Sequence, residues 1–295
     1  MTTVKKSAYA KINLHLDITG IMPDGYHSVN NIMQSVSLCD TVTLVPRDDG
    51  EYTVSCNVGG VPTDKSNLVV RAALAFENAV GGRVGADIII DKSIPMQAGL
   101  AGGSADAAAT LLAINEMCLS PLSTQELCDI GGRLGADVPF CIVGGTALAK
   151  GKGDILQALP SMPDCTIVVA CGGEGVSTPK AFSLLDELYN GFASEIFYSP
   201  RKISTMTDAL ASGSITSVAD NVYNIFEQPI LAIRPVASNL RRIMLSSGAL
   251  GAMMSGSGPS VFGIFDSNEK AYAACETIKK IGVTPHVCRP VQIPG

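Results

Sequence analysis

Residues 8–18 alternate in character. Ala8, Ala10, Ile12, Leu14, Leu16 and Ile18 are apolar, while Tyr9, Lys11, Asn13, His15 and Asp17 between them are mostly polar. A period of two predicts a strand with one apolar and one largely polar face. Residues 36–45 and 86–90 are further strand candidates, set off by the turn-rich segments Pro23-Asp24-Gly25 and Arg47-Asp48-Asp49-Gly50. Residues 67–79 and 104–117 read as helices. Ser123-Thr124-Gln125-Glu126 has the spacing of a capping box, so a helix is expected from there to about residue 134, with Gly135 suited to the position just past its end. Pro139 opposes continuation and puts Asp137 in a short loop before a strand over 140–149.

Pro160 and Pro163 make 155–164 the best candidate boundary, giving an N-terminal domain over 1–158 and a C-terminal domain over 159–295. Beyond it the pattern predicts a strand over 166–171, helical stretches between 179 and 246, and a strand-turn-strand around Ser255-Gly256-Ser257-Gly258-Pro259-Ser260. A helix over 268–281 and a closing strand over 286–291 follow. Helices mixed with a few strands place the chain in the α+β class.

With 46% hydrophobic and 16% charged residues among 295, the composition is that of a globular chain with enough length for two cores. The net charge of −6 argues against non-specific nucleic-acid binding, so an anionic ligand must be held by local groups. Nine cysteines, an odd number without a C-x-x-C pair, read as reduced thiols and not as a disulfide framework or zinc site. No leader pattern and no run of 18 apolar residues is present, so a cytoplasmic protein that does not span a membrane is expected. The oligomeric state is left open.

The chemistry concentrates in Pro95-Met96-Gln97-Ala98-Gly99-Leu100-Ala101-Gly102-Gly103-Ser104-Ala105, a glycine-rich turn running into an alanine-rich helix. Glycines let the backbone approach a ligand, and the first turn of a helix offers unpaired N–H groups, which together suit a nucleotide phosphate. The segment lacks the lysine of a Walker A loop and the spacing of a dinucleotide fingerprint. A tight turn with Ser104 as a simple N-cap is the blander alternative. Lys11 and Asn13 share a strand face roughly 6 to 7 Å apart, either as a solvated surface or as the lining of a cleft. Asp137, a single carboxylate among apolar and glycine residues, is either a turn residue or a base facing Lys11 and ready to accept a proton from a hydroxyl. Tyr26 and His27 offer a flat ring beside an imidazole, fit either to stack on a planar base or to lid a surface turn.

Three segments in order, Ala10-Lys11-Ile12-Asn13-Leu14, the loop from Pro95 onward, and Met254-Ser255-Gly256-Ser257-Gly258-Pro259-Ser260, resemble the motifs of the GHMP kinase superfamily. Within it, Asp24-Gly25-Tyr26-His27 and Leu134-Gly135-Ala136-Asp137-Val138-Pro139-Phe140 resemble the branch that phosphorylates the 2-hydroxyl of a cytidine-diphosphate-linked methylerythritol. The resemblance implies a two-domain GHMP kinase fold, with an N-terminal domain like ribosomal protein S5 domain 2 and a ferredoxin-like C-terminal domain. It also implies ATP and Mg2+ as cofactors and a small cytidine-diphosphate-linked polyol as substrate. By motif match Asp137 takes the hydroxyl proton, Lys11 supports it, and Asn13 helps hold substrate. Tyr26 stacks on the cytosine, His27 bonds its edge, and Phe182 forms a second wall. Asn67 and Lys92 join the glycine loop in contacting ATP, and Ser104 is the motif's group nearest the metal, whose other ligands are not identified. Ala101 stands where many relatives place glycine. A kinase acting on homoserine or mevalonate would give Tyr26 and His27 no base to stack on, and a catalytically silent nucleotide sensor would be expected to have lost Lys11 or Asp137.

Overall fold

The computed structural model describes residues 1–22, 27–151, 153, 155–188 and 202–292. Its first sheet has seven strands. The path β3-β4-β2-β1-β8 uses β3 (Tyr52–Cys56), β4 (Ala86–Asp91), β2 (His27–Pro46), β1 (Val4–Ile21) and the two-residue β8 (Tyr223–Asn224). β5 (Thr146–Gly151) pairs with β2 and with β6 (Ile155–Ala158). Helices α1 (Leu68–Val80), α2 (Gly102–Met117), α3 (Thr124–Leu134) and α4 (Val138–Val143) pack with one face of this sheet around Phe76, Ile88, Leu111 and Ile114. α2 is buried nearly all round, as its alanine-rich composition allows, so it forms the centre of that layer.

The second sheet is antiparallel in the order β11-β7-β10-β9, built from β7 (Thr166–Cys171), β9 (Gly251–Met254), β10 (Ser260–Phe265) and β11 (Pro285–Cys288). Numbered along the chain this is 4-1-3-2, with α9 (Pro235–Ser246) between its first two strands and α10 (Asn268–Lys279) between its last two, the ferredoxin-like βαββαβ arrangement. Between β7 and α9 lie α5 (Thr178–Leu188), α6 (Ile203–Ala211), α7 (Ile215–Asp220) and α8 (Glu227–Ile233).

Two expectations are corrected. Pro139 does not precede a strand. It sits in the first turn of α4, where its missing N–H costs nothing and its fixed φ suits a helix, so the strand begins only at Thr146. Gly135 leaves α3 in extended backbone (φ −178°) and not left-handed. Of the two readings open for Lys11 and Asn13, the solvated surface is excluded: both are buried, as are His15 and Asp17 further along β1, and Asn31, Asp137 and the turn at Ser255 and Gly256 stand over that side. The capping box at Ser123 and Glu126 forms as the spacing predicts.

β1 and β2 pair without a break from Val4 to Tyr9, and the register then shifts so that Lys11 faces Ser35. β2 carries the extra residues at this irregularity and turns them elsewhere: Ser37 N donates to Arg289 O, and Val291 N donates to Ser35 O. On the β1 side, Lys11 N donates to Leu100 O in the glycine loop. A bulge re-aims a strand and releases its ladder groups. Here it joins the first strand, the loop and the C-terminal segment at one point.

Candidate active site

The loop ahead of α2 holds Gln97 (φ +51°), Gly99 (φ +76°) and Ala101 (φ +57°) in left-handed backbone. Gly99 is required twice over: besides its φ, a Cβ there would lie 2.2 Å from Ser255 O. Ala101 takes the same region at a cost of about 1–2 kcal/mol, the penalty of a Cβ in αL. It is also the N-cap of α2 and has no side-chain oxygen to offer, so the helix begins at Gly102 and Ser104 lies inside its first turn. The N-cap alternative for Ser104 is therefore excluded, and the first-turn N–H groups lack a side-chain acceptor. A Cβ at Gly103 would meet nothing within 4 Å, so this turn is open to a ligand. Ala98, Leu100 and Ala105 are buried and shape the loop from within, whereas Pro95 is half-buried and Met96 exposed.

The turn between β9 and β10 closes against this loop. Ser255 Oγ lies 2.9 Å from Gly99 O and 3.1 Å from Asn13 Oδ1, and Ser260 N donates to Ala98 O. Asn224 braces the turn with Nδ2 donating at 2.8 Å to the carbonyls of both Met254 and Gly256. Gly256 (φ +56°) lets the turn approach Lys11, whose Nζ would be 3.3 Å from a Cβ at that position.

Lys11 Nζ donates to Asn13 Oδ1 at 2.7 Å and lies 3.9 Å from Asp137 Oδ2. The lysine side chain is 5% exposed and the aspartate 36%, so the cation is enclosed while the carboxylate faces open space. Asp137 is the N-cap of α4 yet makes no side-chain capping bond, which leaves its oxygens available. Ser104 Oγ points toward the same loop, 3.9 Å from where a Cβ of Gly135 would stand.

Asn67 and Lys92 are both engaged within the fold. Asn67 caps α1 by accepting from Val69 N and donates to Pro62 O. Lys92 Nζ lies between Asp40 Oδ2 (2.6 Å) and Asp106 Oδ2 (2.8 Å), directly beneath Gly102. Asp40 also accepts from Ser93 N and Ile94 N and so fixes the entry to the loop. Nothing in the sequence pattern singled out Asp40 or Asp106. Their only signal was burial of charge, which appears once the chain is folded.

Toward the start of β2, the His27 ring stacks on Phe182 with centroids 4.5 Å apart and planes at 24°, and Phe182 meets Phe226 edge-on at 4.9 Å. Asp186, one helical turn beyond Phe182 on α5, has Oδ1 3.3 Å from His27 Nε2. Tyr26 lies outside the described residues. His27 and Asn31 are four residues apart on β2, about 13 Å by strand rise, which separates the aromatic group from the surroundings of Lys11.

Among the described residues, no three His, Cys, Asp or Glu side chains gather as a metal site, and no helix is long and apolar enough to cross a membrane.

Residues 67–145 match the GHMP kinases N terminal domain, and residues 206–284 match the GHMP kinases C terminal domain. The 4-diphosphocytidyl-2-C-methyl-D-erythritol kinase of Gloeobacter violaceus is 40% identical over 294 residues, covering 99% of this chain and 96% of its own. That of Clostridium beijerinckii is 41% identical over 277 residues, covering 94% and 96%. A crystal structure of 4-(cytidine 5'-diphospho)-2C-methyl-D-erythritol kinase superposes with a TM-score of 0.79 at 29% identity, covering 97% of this chain and 98% of that one. Homoserine kinase from Cytophaga hutchinsonii shares the fold, with a TM-score of 0.75 at 20% identity over 99% of this chain and 95% of its own.

Proposed function

The chain belongs to the GHMP kinases, and within them to the 4-diphosphocytidyl-2-C-methyl-D-erythritol kinases. On that premise we propose that it transfers the terminal phosphoryl group of ATP to the 2-hydroxyl of 4-diphosphocytidyl-2-C-methyl-D-erythritol, giving the 2-phosphate and ADP in the non-mevalonate route to isoprenoid precursors. The observation that carries the residue roles is the enclosed Lys11 ammonium 3.9 Å from the accessible Asp137 carboxylate, beside two glycine turns. Phosphoryl transfer asks a protein mainly for positioning and for charge opposite the transferring group. This site offers both.

In the proposed reaction Asp137 accepts the hydroxyl proton. The freed oxygen bonds to the γ-phosphorus as the bond from that phosphorus to the β-bridging oxygen breaks, and ADP departs with the electron pair. Lys11 balances the negative charge gathering between base and phosphoryl group, and Asn13, carried over from the motif as a substrate-holding residue, also holds Lys11 in place. The N–H groups of Gly102, Gly103 and Ser104 cradle the phosphates at the positive end of α2. Lys92, beneath that turn, and Asn67, at the start of α1, are carried over as further contacts to ATP. His27, Phe182 and Tyr26 receive the cytosine at the far end of the cleft. Mg2+ would fit the site as an ion carried by the nucleotide, since such an ion keeps several waters and needs only one or two protein oxygens, of which the Ser104 hydroxyl at the start of α2 would be one. When bound, it draws charge from the phosphates. Residues 1–158 are assigned to the N-terminal, ATP-binding GHMP kinase domain and 159–295 to the C-terminal GHMP kinase domain, and a cytoplasmic setting belongs to the same proposal.

An ADP-release assay tests this. The wild-type protein should release ADP with the cytidyl substrate and not with homoserine or mevalonate. Asp137→Asn should lower kcat by roughly 10²- to 10⁴-fold while ATP still binds. Undiminished turnover in that variant would remove Asp137 from the mechanism, and turnover on homoserine or mevalonate alone would replace the substrate.

A further inference from the structure

One side chain in contact with this site has no role in the reaction just described. Asn13 is fully buried, and the group facing Lys11 Nζ must be its oxygen, because an ammonium only donates. Ser255 Oγ reaches the same oxygen. Asn13 Nδ2 is thereby turned the other way, where it meets Asn31 Oδ1 at 2.7 Å. The orientations of both amides thus follow from Lys11: with Asn31 turned over, two NH2 groups would face each other. Asn31 is 8% exposed and lies in β2 between Leu16 of β1 and Ala149 of β5, where little water is available to replace a lost acceptor.

We propose that Asn31 is a positioning residue for phosphoryl transfer, its side-chain carbonyl holding the Asn13 amide in the one orientation that presents an oxygen to Lys11 and so fixing the ammonium opposite Asp137. The inference rests on the kinase reading above. Asn31 touches no reacting atom. Its loss leaves Asn13 Nδ2 buried without a partner, and an amide that turns to find one brings an N–H group against Lys11. The consequence falls on the geometry of transfer, hence on kcat, more than on nucleotide affinity.

Asn31→Leu and Asn31→Asp separate an acceptor from a packing role. Leucine keeps the shape of asparagine and removes the acceptor, while aspartate keeps the acceptor and adds charge. N31L should lower kcat about tenfold with KM for ATP within about twofold, and N31D should stay within about threefold of wild type. The double variant N13A/N31L should turn over no more slowly than N13A, since Asn31 acts only through Asn13. Wild-type kcat in N31L, an N31D as slow as N31L, or losses that multiply in the double variant would each overturn the proposal. The Asn13 side-chain NH2 resonance, identified by its absence in N13A, reads the contact without turnover and should shift in N31L. If the wild-type protein releases no ADP with the cytidyl substrate, the kinase reading fails. An Asn13 resonance unmoved in N31L overturns the present inference independently of that result.

Discussion

Beneath the first turn of α2, Lys92 lies between Asp40 and Asp106, all three with side chains no more than 6% exposed. Burial pushes the Asp106 carboxyl up to about 7, against the pull of the Lys92 ammonium and with a further push from Asp40. The unfolded reference is 3.8. Between about pH 4 and pH 7 the native protein therefore holds a proton at Asp106 that the unfolded chain lacks, and this contribution to stability is lost as pH rises through that window. The stability of wild type minus that of Asp106→Asn, from urea unfolding, should fall across pH 4–7 with a slope no steeper than about 1.4 kcal/mol per pH unit. A flat difference would show that Asp106 is ionised throughout. At this scale Lys11, Asn13 and Asp137 were legible from motif and pattern. Asp40, Asp106, Asn31 and Asn224 were not, because what distinguishes them is the partner each meets after folding.

Two helices set where Asp137 stands. α3 starts at a capping box, and α4 packs back on it so closely that a Cβ at Gly131 would lie 2.8 Å from Val138 Cγ1 and 3.2 Å from Ile142 Cδ1. Valine is stiff at χ1, so the contact cannot be relieved by a flexible tip. Gly131→Ala gains about 1 kcal/mol of helix propensity, yet overpacking of this kind costs about 1–3 kcal/mol. The variant should show a lower urea midpoint, together with reduced kcat, because Val138 adjoins Asp137. An unchanged midpoint and kcat would show that α4 yields freely. Strand and helix periods revealed most elements. α4 was misjudged because a proline ends one helix or opens another by the same chemistry, and β8 is too short to carry a period.

Across the whole molecule the two sheets share one core: Ile12, Leu14 and Ile32 of the first pack in the same cluster as Ile167, Val169 and Phe262 of the second. β8 adds a strand from the C-terminal half to the N-terminal sheet, and Arg289 and Val291 bond with β2. Calorimetry should therefore show one transition with equal calorimetric and van't Hoff enthalpies. Phe262→Ala, at a site with 0% exposure, should lower that transition as a unit by about 3–5 kcal/mol. Two resolved transitions would show that the halves fold separately. By itself the sequence determined the strands and helices with clear periods, the α+β class, and the glycine loop feeding α2, since these depend on neighbours a few positions apart. Only the tertiary structure decided that the polar face of β1 is buried, that the two glycine turns interlock, and that the Asn13 amide faces Lys11. Those outcomes depend on contacts between residues as far apart as Asn13 and Ser255, which no local pattern encodes.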